Sequence, residues 1–323
     1  MGRSILFPRT AALRPGLACE IASAGIVAAR AGKAGQEFRS AFAPLPAGVF
    51  FTGLKEPGFS GRSALVSALR QVLDEVSQRD TKLTLLIPDS AVRVLLLDFD
   101  TLPSKNEDVL PIVRFRLRKL VPFEVEKAAI SYQRMAPKDG AVRVLCAVSP
   151  AAVLGEYESA VREAGYEPGV VLPSTLAALA GISGDEPSLV VHRNGDSFTT
   201  AISRGNELLL HRTLEGSAET AAETGTPTAL RGDEPDTEWT AAASSSFAED
   251  LRQSVSVAVA YYEDTLQFPP RQLLAMGAGG AEALLDLLGG SSIPVRDLAP
   301  ASMGNLTAMP PGLLAGVQGA LAS

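Results

Sequence analysis

The feature that most narrows the fold is a helical period that gives way within a few residues to a short buried strand. Residues 63–77 place Leu65, Val66, Leu69, Val72, Leu73 and Val76 at helical spacing, and residues 82–88 follow as an apolar run closed by Pro88. A helix leading directly into a continuous apolar strand predicts layers of helix on sheet, the α/β class.

The rest of the chain extends that pattern. Residues 17–21 and 25–29 read as a hairpin around Ala22-Ser23-Ala24, and residues 50–53 as a further strand. A strand at 92–98 leads to a helix that opens around Asp108 and stops at Pro122. Its apolar face is Val109, Ile112, Val113, Leu117 and Leu120; its other face carries Arg114, Arg118 and Lys119. Strands at 129–135 and 142–148, joined by an Asp139-Gly140 turn, complete an inserted α+β unit at about 91–149. Ser149 is expected to cap the next helix, which ends near Gly165. Three strands at 189–192, 199–203 and 208–212 open a second lobe. Residues 216–246 are dominated by Ala, Thr, Glu, Ser, Gly and Pro and are expected to form a flexible loop, followed by a long helix over 247–266. A strand at 272–276, the turn Gly277-Ala278-Gly279-Gly280, a helix at 281–288, a strand at 293–295 and a helix at 313–322 finish the chain. The expected organisation is a first lobe at 1–183 containing the inserted unit, and a second lobe at 184–323.

Several functions are disfavoured. The net charge of −7 lacks the basic footprint of a nucleic-acid binder. No run of about 18 apolar residues occurs, so no spanning helix is expected. Gly16-Leu17-Ala18-Cys19 resembles a lipoprotein cleavage site, but Pro8, Arg9, Arg14 and Pro15 break the apolar core such a signal needs. Cys19 and Cys146 sit in strand-like runs and read as buried free thiols. Gly58-Phe59-Ser60-Gly61-Arg62 lacks the last glycine of a nucleophile elbow, and His192 and His211 are the only candidate bases for a triad. No clustered metal-ligand spacing and no phosphate loop ending in Gly-Lys appears. The turn at 277–280 lies between strand and helix with Asp297 twenty residues beyond Gly277, but too little chain follows for a dinucleotide fold.

The order of elements, with Leu86-Ile87-Pro88-Asp89-Ser90-Ala91-Val92-Arg93, Leu102-Pro103, Val113-Arg114-Phe115-Arg116-Leu117-Arg118-Lys119, Val121-Pro122-Phe123 and Ser131-Tyr132, resembles the PilM family of pilus assembly proteins. That family lies in the FtsA-like branch of the actin-like ATPase superfamily. Tyr261-Tyr262-Glu263 and Ile293-Pro294-Val295 add to the likeness.

The resemblance implies an actin-like two-lobe fold holding ATP and Mg²⁺ between two phosphate hairpins and an adenosine turn. On this chain the corresponding residues are Glu20, Ser23 and Gly25 in the first hairpin, Gly195 and Ser197 in the second, and Gly277, Gly279 and Gly280 in the turn. Glu20 replaces an expected Asp, Ala22 and Asn194 replace glycines, and His192 stands where a metal-facing Asp is expected. Imidazole is a poor Mg²⁺ ligand, so the site is expected to be degenerate, with no catalytic and no metal-binding residues. The resemblance further implies a cytoplasmic adaptor of type IV pilus assembly. It would capture the N-terminal peptide of a PilN-like inner-membrane protein in a groove built by Arg114, Leu117, Arg118 and Phe123. Two alternatives stay open: a working ATPase that switches partner binding, and a GspL-like component of a type II secretion platform.

Overall fold

The computed structural model describes residues 14–32, 38–46, 53–54, 59–137, 140–215, 237–299 and 309–322, with the backbone alone at 106 and 237–245. Three sheets organise them, and the fold is α/β as expected.

The first sheet has the order β3-β2-β1-β4-β8. β1 (Leu17–Ala22) and β2 (Gly25–Arg30) form the expected hairpin, extended by β3 (Arg39–Pro44). β4 (Lys82–Ile87) and β8 (Glu167–Pro173) run parallel to β1 and to each other. Helix α1 (Arg62–Val76) lays Leu65, Leu69, Val72 and Leu73 on this sheet, all at most 1% exposed. Seven residues of that helix are buried, which at about 1.5–3 kcal/mol per large apolar side chain outweighs its lack of a side-chain cap. β3, β8 and α4 (Ser174–Leu179) escape the sequence pattern. β3 alternates exposed and buried as an edge strand with small residues, β8 carries two prolines and a glycine, and α4 is a single buried turn and a half of helix. The strand expected at 50–53 falls almost wholly outside the described residues.

The second sheet has the order β11-β10-β9-β12-β13. β9 (Pro187–Asn194), β10 (Ser197–Arg204) and β11 (Glu207–Glu215) are an antiparallel meander. β12 (Leu273–Met276) joins β9 in parallel, and β13 is Val295–Asp297, two residues later than the expected strand because Pro294 lies at its entry and only its carbonyl takes part, accepting from Leu273. Helix α6 spans Gly280–Leu288. Helix α5 runs from Thr237 to Leu266, so the loop expected over 216–246 ends at least ten residues early. Thr, Ala, Ser and Glu read as loop composition there, yet Ala and Glu are also good helix formers. Residues 216–236 lie outside the described set.

The third sheet, β5-β7-β6, belongs to the inserted unit: β5 (Arg93–Phe99), β6 (Ala128–Arg134) and β7 (Val142–Pro150). Helix α2 spans Asn106–Leu117, starting two residues before and ending well before the expected limits. Val109, Val113 and Leu117 fill a separate core against Val144, Cys146 and Val148, all fully buried. Ile112 and Leu120 do not join it and are 37% and 46% exposed. The apolar stripe is therefore narrower than the sequence pattern, because α2 ends at Leu117 and turns Leu120 away. Ser149 does not cap α3 (Ala151–Glu163); it lies within β7 and its hydroxyl donates to the Ala91 carbonyl at 2.8 Å. Both cysteines are buried and free, as expected.

The chain returns to its beginning at the end. Helix α7 (Ala315–Ala322) packs on α4, β1 and β2, and Leu313, Leu314, Val317 and Ala320 enter the core of the first sheet. This last stretch thus leaves the second sheet, a departure from the simple division at residue 184. α4 and α7 cross at Gly181 and Gly319, where a Cβ on Gly181 would come within 2.8 Å of the Gly319 backbone.

Candidate functional site

The first and second sheets meet at the carboxyl ends of β1 and β4, where the chain buries polar groups together. Asp89 follows Pro88, which ends β4, and sits in a 3-10 turn (Asp89–Ala91) with 3% of its surface exposed. Thr175, in the first turn of α4, donates its amide to Asp89 Oδ1 at 3.1 Å and its hydroxyl to Asp89 Oδ2. From the second sheet, His192 on β9 brings Nδ1 to 2.9 Å from Asp89 Oδ2 and to 2.9 Å from Thr175 Oγ1. His211 on β11 places Nε2 3.8 Å from Asp89 Oδ1, outside hydrogen-bond reach. Burial raises the proton affinity of Asp89, but the hydrogen bond from His192 and the closeness of both imidazoles outweigh it and hold the carboxyl well below the usual carboxylate range. One carboxylate of the first sheet is thus clasped by side chains of the second.

Glu20, on β1 beside this cluster, is 2% exposed, and its Oε2 has no hydrogen-bond partner among the described residues. Burial pushes this carboxyl up to about 7, with the Asp89 charge adding to the effect and His192 and Ser174 opposing it. The cause of the burial is α7: a Cβ on Gly316 would collide with Glu20 Oε2, so the helix lies directly on the carboxyl. Glu20 is therefore neither solvated nor open to a ligand from that side. His192 is likewise fully buried and bonded to a carboxylate rather than to backbone.

The two turns nearest this cluster touch. The Ser23 amide donates to Asn194 Oδ1 at 2.7 Å, and a Cβ on Gly195 would lie 3.1 Å from Ser23 Cβ. Ser197 closes its own turn by donating to the Asn194 carbonyl at 2.9 Å. Gly25 faces Phe42 and the Ala43 carbonyl of β3. At the third element, Gly277 has φ +103° and presses against the Arg193 carbonyl, a position no Cβ could share. Its amide donates to the Gly312 carbonyl at 3.0 Å. Gly279 and Gly280 open α6, whose Ala281 amide is taken at 2.7 Å by Asp297 Oδ1, a carboxylate already standing where the helix N-terminus would attract an anion. The first and second hairpin residues are thus brought together; the turn at 277–280 is joined to them through Arg193. Among the described residues, no group of three or more His, Cys, Asp and Glu side chains is placed to hold a metal ion.

The expected groove residues lie elsewhere, on the inserted unit. Leu117 is fully buried in its core and offers no surface, since the helix turns that face onto β7. Arg114 donates to the Val125 carbonyl at 2.7 Å, and Arg118 pairs with Glu126 at 2.6 Å, an acidic partner eight residues on that helix periodicity does not reveal. Phe123 is half-buried beside them. Sequence reasoning missed Asp89, Thr175 and Asn194 as residues that join the sheets. The available signal was a carboxylate one residue beyond a largely apolar strand, at the strand end where α/β sheets place their sites.

Among the described residues, no helix is long and apolar enough to cross a membrane. No family model matches the chain, and no curated protein matches it. Solved structures do. The PilM–PilN type IV pilus biogenesis complex aligns with 95% of this chain and 97% of the other at 18% identity, with a TM-score of 0.67. A protein of actin-like ATPase fold and unknown function from Bacteroides thetaiotaomicron covers 95% of both chains at 12% identity and a TM-score of 0.51. The cytoplasmic domain of EpsL, an inner membrane component of the type II secretion system of Vibrio cholerae, aligns at 12% identity and a TM-score of 0.47 over 95% of this chain and 94% of the other. The chain has the actin-like ATPase fold, and its likeness to the solved PilM–PilN complex is a likeness of fold.

Proposed function

We propose that this chain is an adaptor of type IV pilus assembly, held at the inner membrane from the cytoplasm by the N-terminal peptide of a PilN-like protein, and that its inter-sheet cleft does not run a nucleotide cycle. In this reading residues 1–183 form a first lobe, with the inserted unit at 91–149, and the chain from 184 forms a second lobe, from which α7 returns to the first.

The observation that carries the reading is the wiring of the cleft. A triphosphate needs free amides in the two hairpins, and the Ser23 amide is donated to Asn194 instead. Mg²⁺ needs oxygen ligands, and His192 supplies an imidazole already engaged by Asp89. Asp297 caps α6 with negative charge, and Gly277 and Gly280 are pressed on by the chain itself. These residues do not fit ATP with Mg²⁺. Likeness in fold to a PilM solved with PilN supports the choice of partner.

For the peptide, β6 is an edge strand that pairs, among the described residues, with β7 alone, and Arg118 and Phe123 precede it in the chain, Arg118 tied to Glu126 just before its start. An extended peptide would add to that edge, with Arg114, Arg118 and Phe123 flanking it and Leu117 supporting them from within. Calorimetric titration with a synthetic N-terminal peptide of a PilN-like inner-membrane protein tests the reading. Binding is expected, weakened by about 1–3 kcal/mol in Arg118→Glu, the range for hydrogen bonds to charged groups. No binding, or binding unchanged in that variant, refutes the groove. Titration with ATP and Mg²⁺ is expected to give no turnover; steady turnover would favour the switching ATPase.

A further inference from the structure

The inserted unit hangs from a single root. The chain enters it through the Asp89–Ala91 turn and leaves it at Ser149, whose hydroxyl donates back to the Ala91 carbonyl. Whatever holds Asp89 therefore holds that root. Thr175 does so from α4, and the second sheet contributes His192 and His211, the only two histidines in the chain.

The two imidazoles hold Asp89 unequally. His192 Nδ1 is 2.9 Å from Oδ2, whereas His211 Nε2 stands 3.8 Å from Oδ1. The His211 side chain is 2% exposed, and that nitrogen has no hydrogen-bond partner among the described residues. A neutral imidazole offers one N–H and one lone pair. With the lone pair at Nε2, it faces a carboxylate oxygen, lone pair to lone pair; with the proton there, the donor stands beyond reach. The imidazolium has both a donor at Nε2 and a charge opposite to that of Asp89, and such bonds shorten to about 2.7–2.9 Å.

The same seam is slack elsewhere. β11, which carries His211, packs on the Asp89 turn and on β5. Towards the end of β11, Glu215 and Arg93 of β5 are 3.8 Å apart, near the outer limit of an ion pair. Towards its start the seam widens into a groove of about 580 Å³, with Met135, Ala136 and Pro137 of the inserted unit on one wall and Arg204, Glu207 and Leu209 on the other. The inserted unit has room to close on the second sheet.

Few other charges face this pair. β1 contributes Glu20, whose carboxyl burial pushes up to about 7, while Asp89 stays ionised because its carboxyl lies well below the usual range. α4 contributes the hydroxyls of Ser174 and Thr175, and α7 has no titratable side chain. Lys82 of β4 and Arg204 of β10 stand at the far ends of their strands. Arg193 lies over the Phe247 ring, and Arg212 follows His211 on the opposite face of β11.

We propose that His211 is a proton-operated catch: uncharged it stands off Asp89, and charged it closes on Oδ1 and draws the root of the inserted unit onto the second sheet. Histidine is the side chain whose charge ordinarily changes between about pH 5 and 8, so the catch works around neutrality. The inference rests on the geometry of the root and not on the pilus role or the peptide groove.

The test joins two measurements on the full chain from pH 8 to pH 5.5. Nitrogen NMR of the two imidazoles, assigned with His192→Gln, should show His211 gaining its second proton in this range. Amide hydrogen exchange over residues 91–99, corrected for the intrinsic rate at each pH, should slow in step, by up to about tenfold per pH unit, the limit for linkage to one proton. His211→Gln, uncharged at every pH, should abolish the slowing, and Glu20→Gln should keep it. A His211 that holds one charge state throughout, or a parent whose corrected exchange does not change, overturns the proposal. So does slowing that persists in His211→Gln or vanishes in Glu20→Gln, which would make the carboxyl the sensor. If His211→Gln does not fold, the parent decides alone: the His211 titration and the slowing must share one midpoint, and separate midpoints overturn the catch.

Discussion

Glu20→Gln separates the energetic role of the buried carboxyl from its shape. The side chain is 2% exposed, one oxygen lacks a partner, and burial lifts it from an ordinary value of 4.5 to about 7. At about 1.4 kcal/mol per tenfold change in proton affinity, holding this group charged in the folded state costs roughly 3 kcal/mol. The folded state binds the proton more tightly than the unfolded chain, so the stability Glu20 contributes is fully present below about 4.5 and is lost as pH rises through 7. Glutamine keeps the shape and cannot ionise. Urea unfolding of both proteins at pH 5, 6, 7 and 8 therefore has a signed expectation: near-equal midpoints at pH 5, and at pH 8 a variant more stable by about 2–3 kcal/mol. A variant less stable than its parent at pH 8 would refute the reasoning. It would mean that the ionised carboxylate has a favourable partner, as it would if it held a cation.

Asp89 should behave in the opposite sense. Asp89→Asn leaves His192 without its carboxylate, and a loss on the order of 3 kcal/mol is expected at neutral pH, fading as pH falls below the ordinary carboxylate range because the parent then loses the same contribution; thermal melts across pH read both. Gly316→Ala should destabilise by about 1–3 kcal/mol despite the better helix propensity of alanine, since its Cβ meets Glu20 and Leu86. The loss should shrink in a Glu20→Ala background, measured as a double-mutant cycle. Phosphate release from ATP and Mg²⁺ should stay at background and be the same in Glu20→Gln as in the parent.

How much was legible depended on what each residue answers to. α1 and the hairpin β1–β2 were readable because a single face is buried and its period is local. β8 and α4 were not: Pro168, Gly169 and Pro173 read as loop, and their pairing is decided by β4 and α7, far away in sequence. The glycines of the turn at 277–280 were visible, but their reason was not, because Arg193 and Gly312 reach them through tertiary packing. His192 stands out of the family pattern in the sequence, but that it meets Asp89 across 103 positions is beyond any local rule. Arg118 shows the same limit at short range, where a turn after the helix brings in Glu126.

The return of α7 also sets an order of events during synthesis. Strand β1 (Leu17–Ala22) leaves the ribosome some three hundred residues before the segment near 313–322 that completes one side of its core. Until that late segment emerges, Glu20 faces water, Leu86 lacks its cover, and the hairpin β1–β2 has sheet neighbours but no lid. Such long-range closure favours slow consolidation, with a nascent intermediate that exposes apolar surface until the later segment arrives. Residues 17–22 have to wait for residues 315–322.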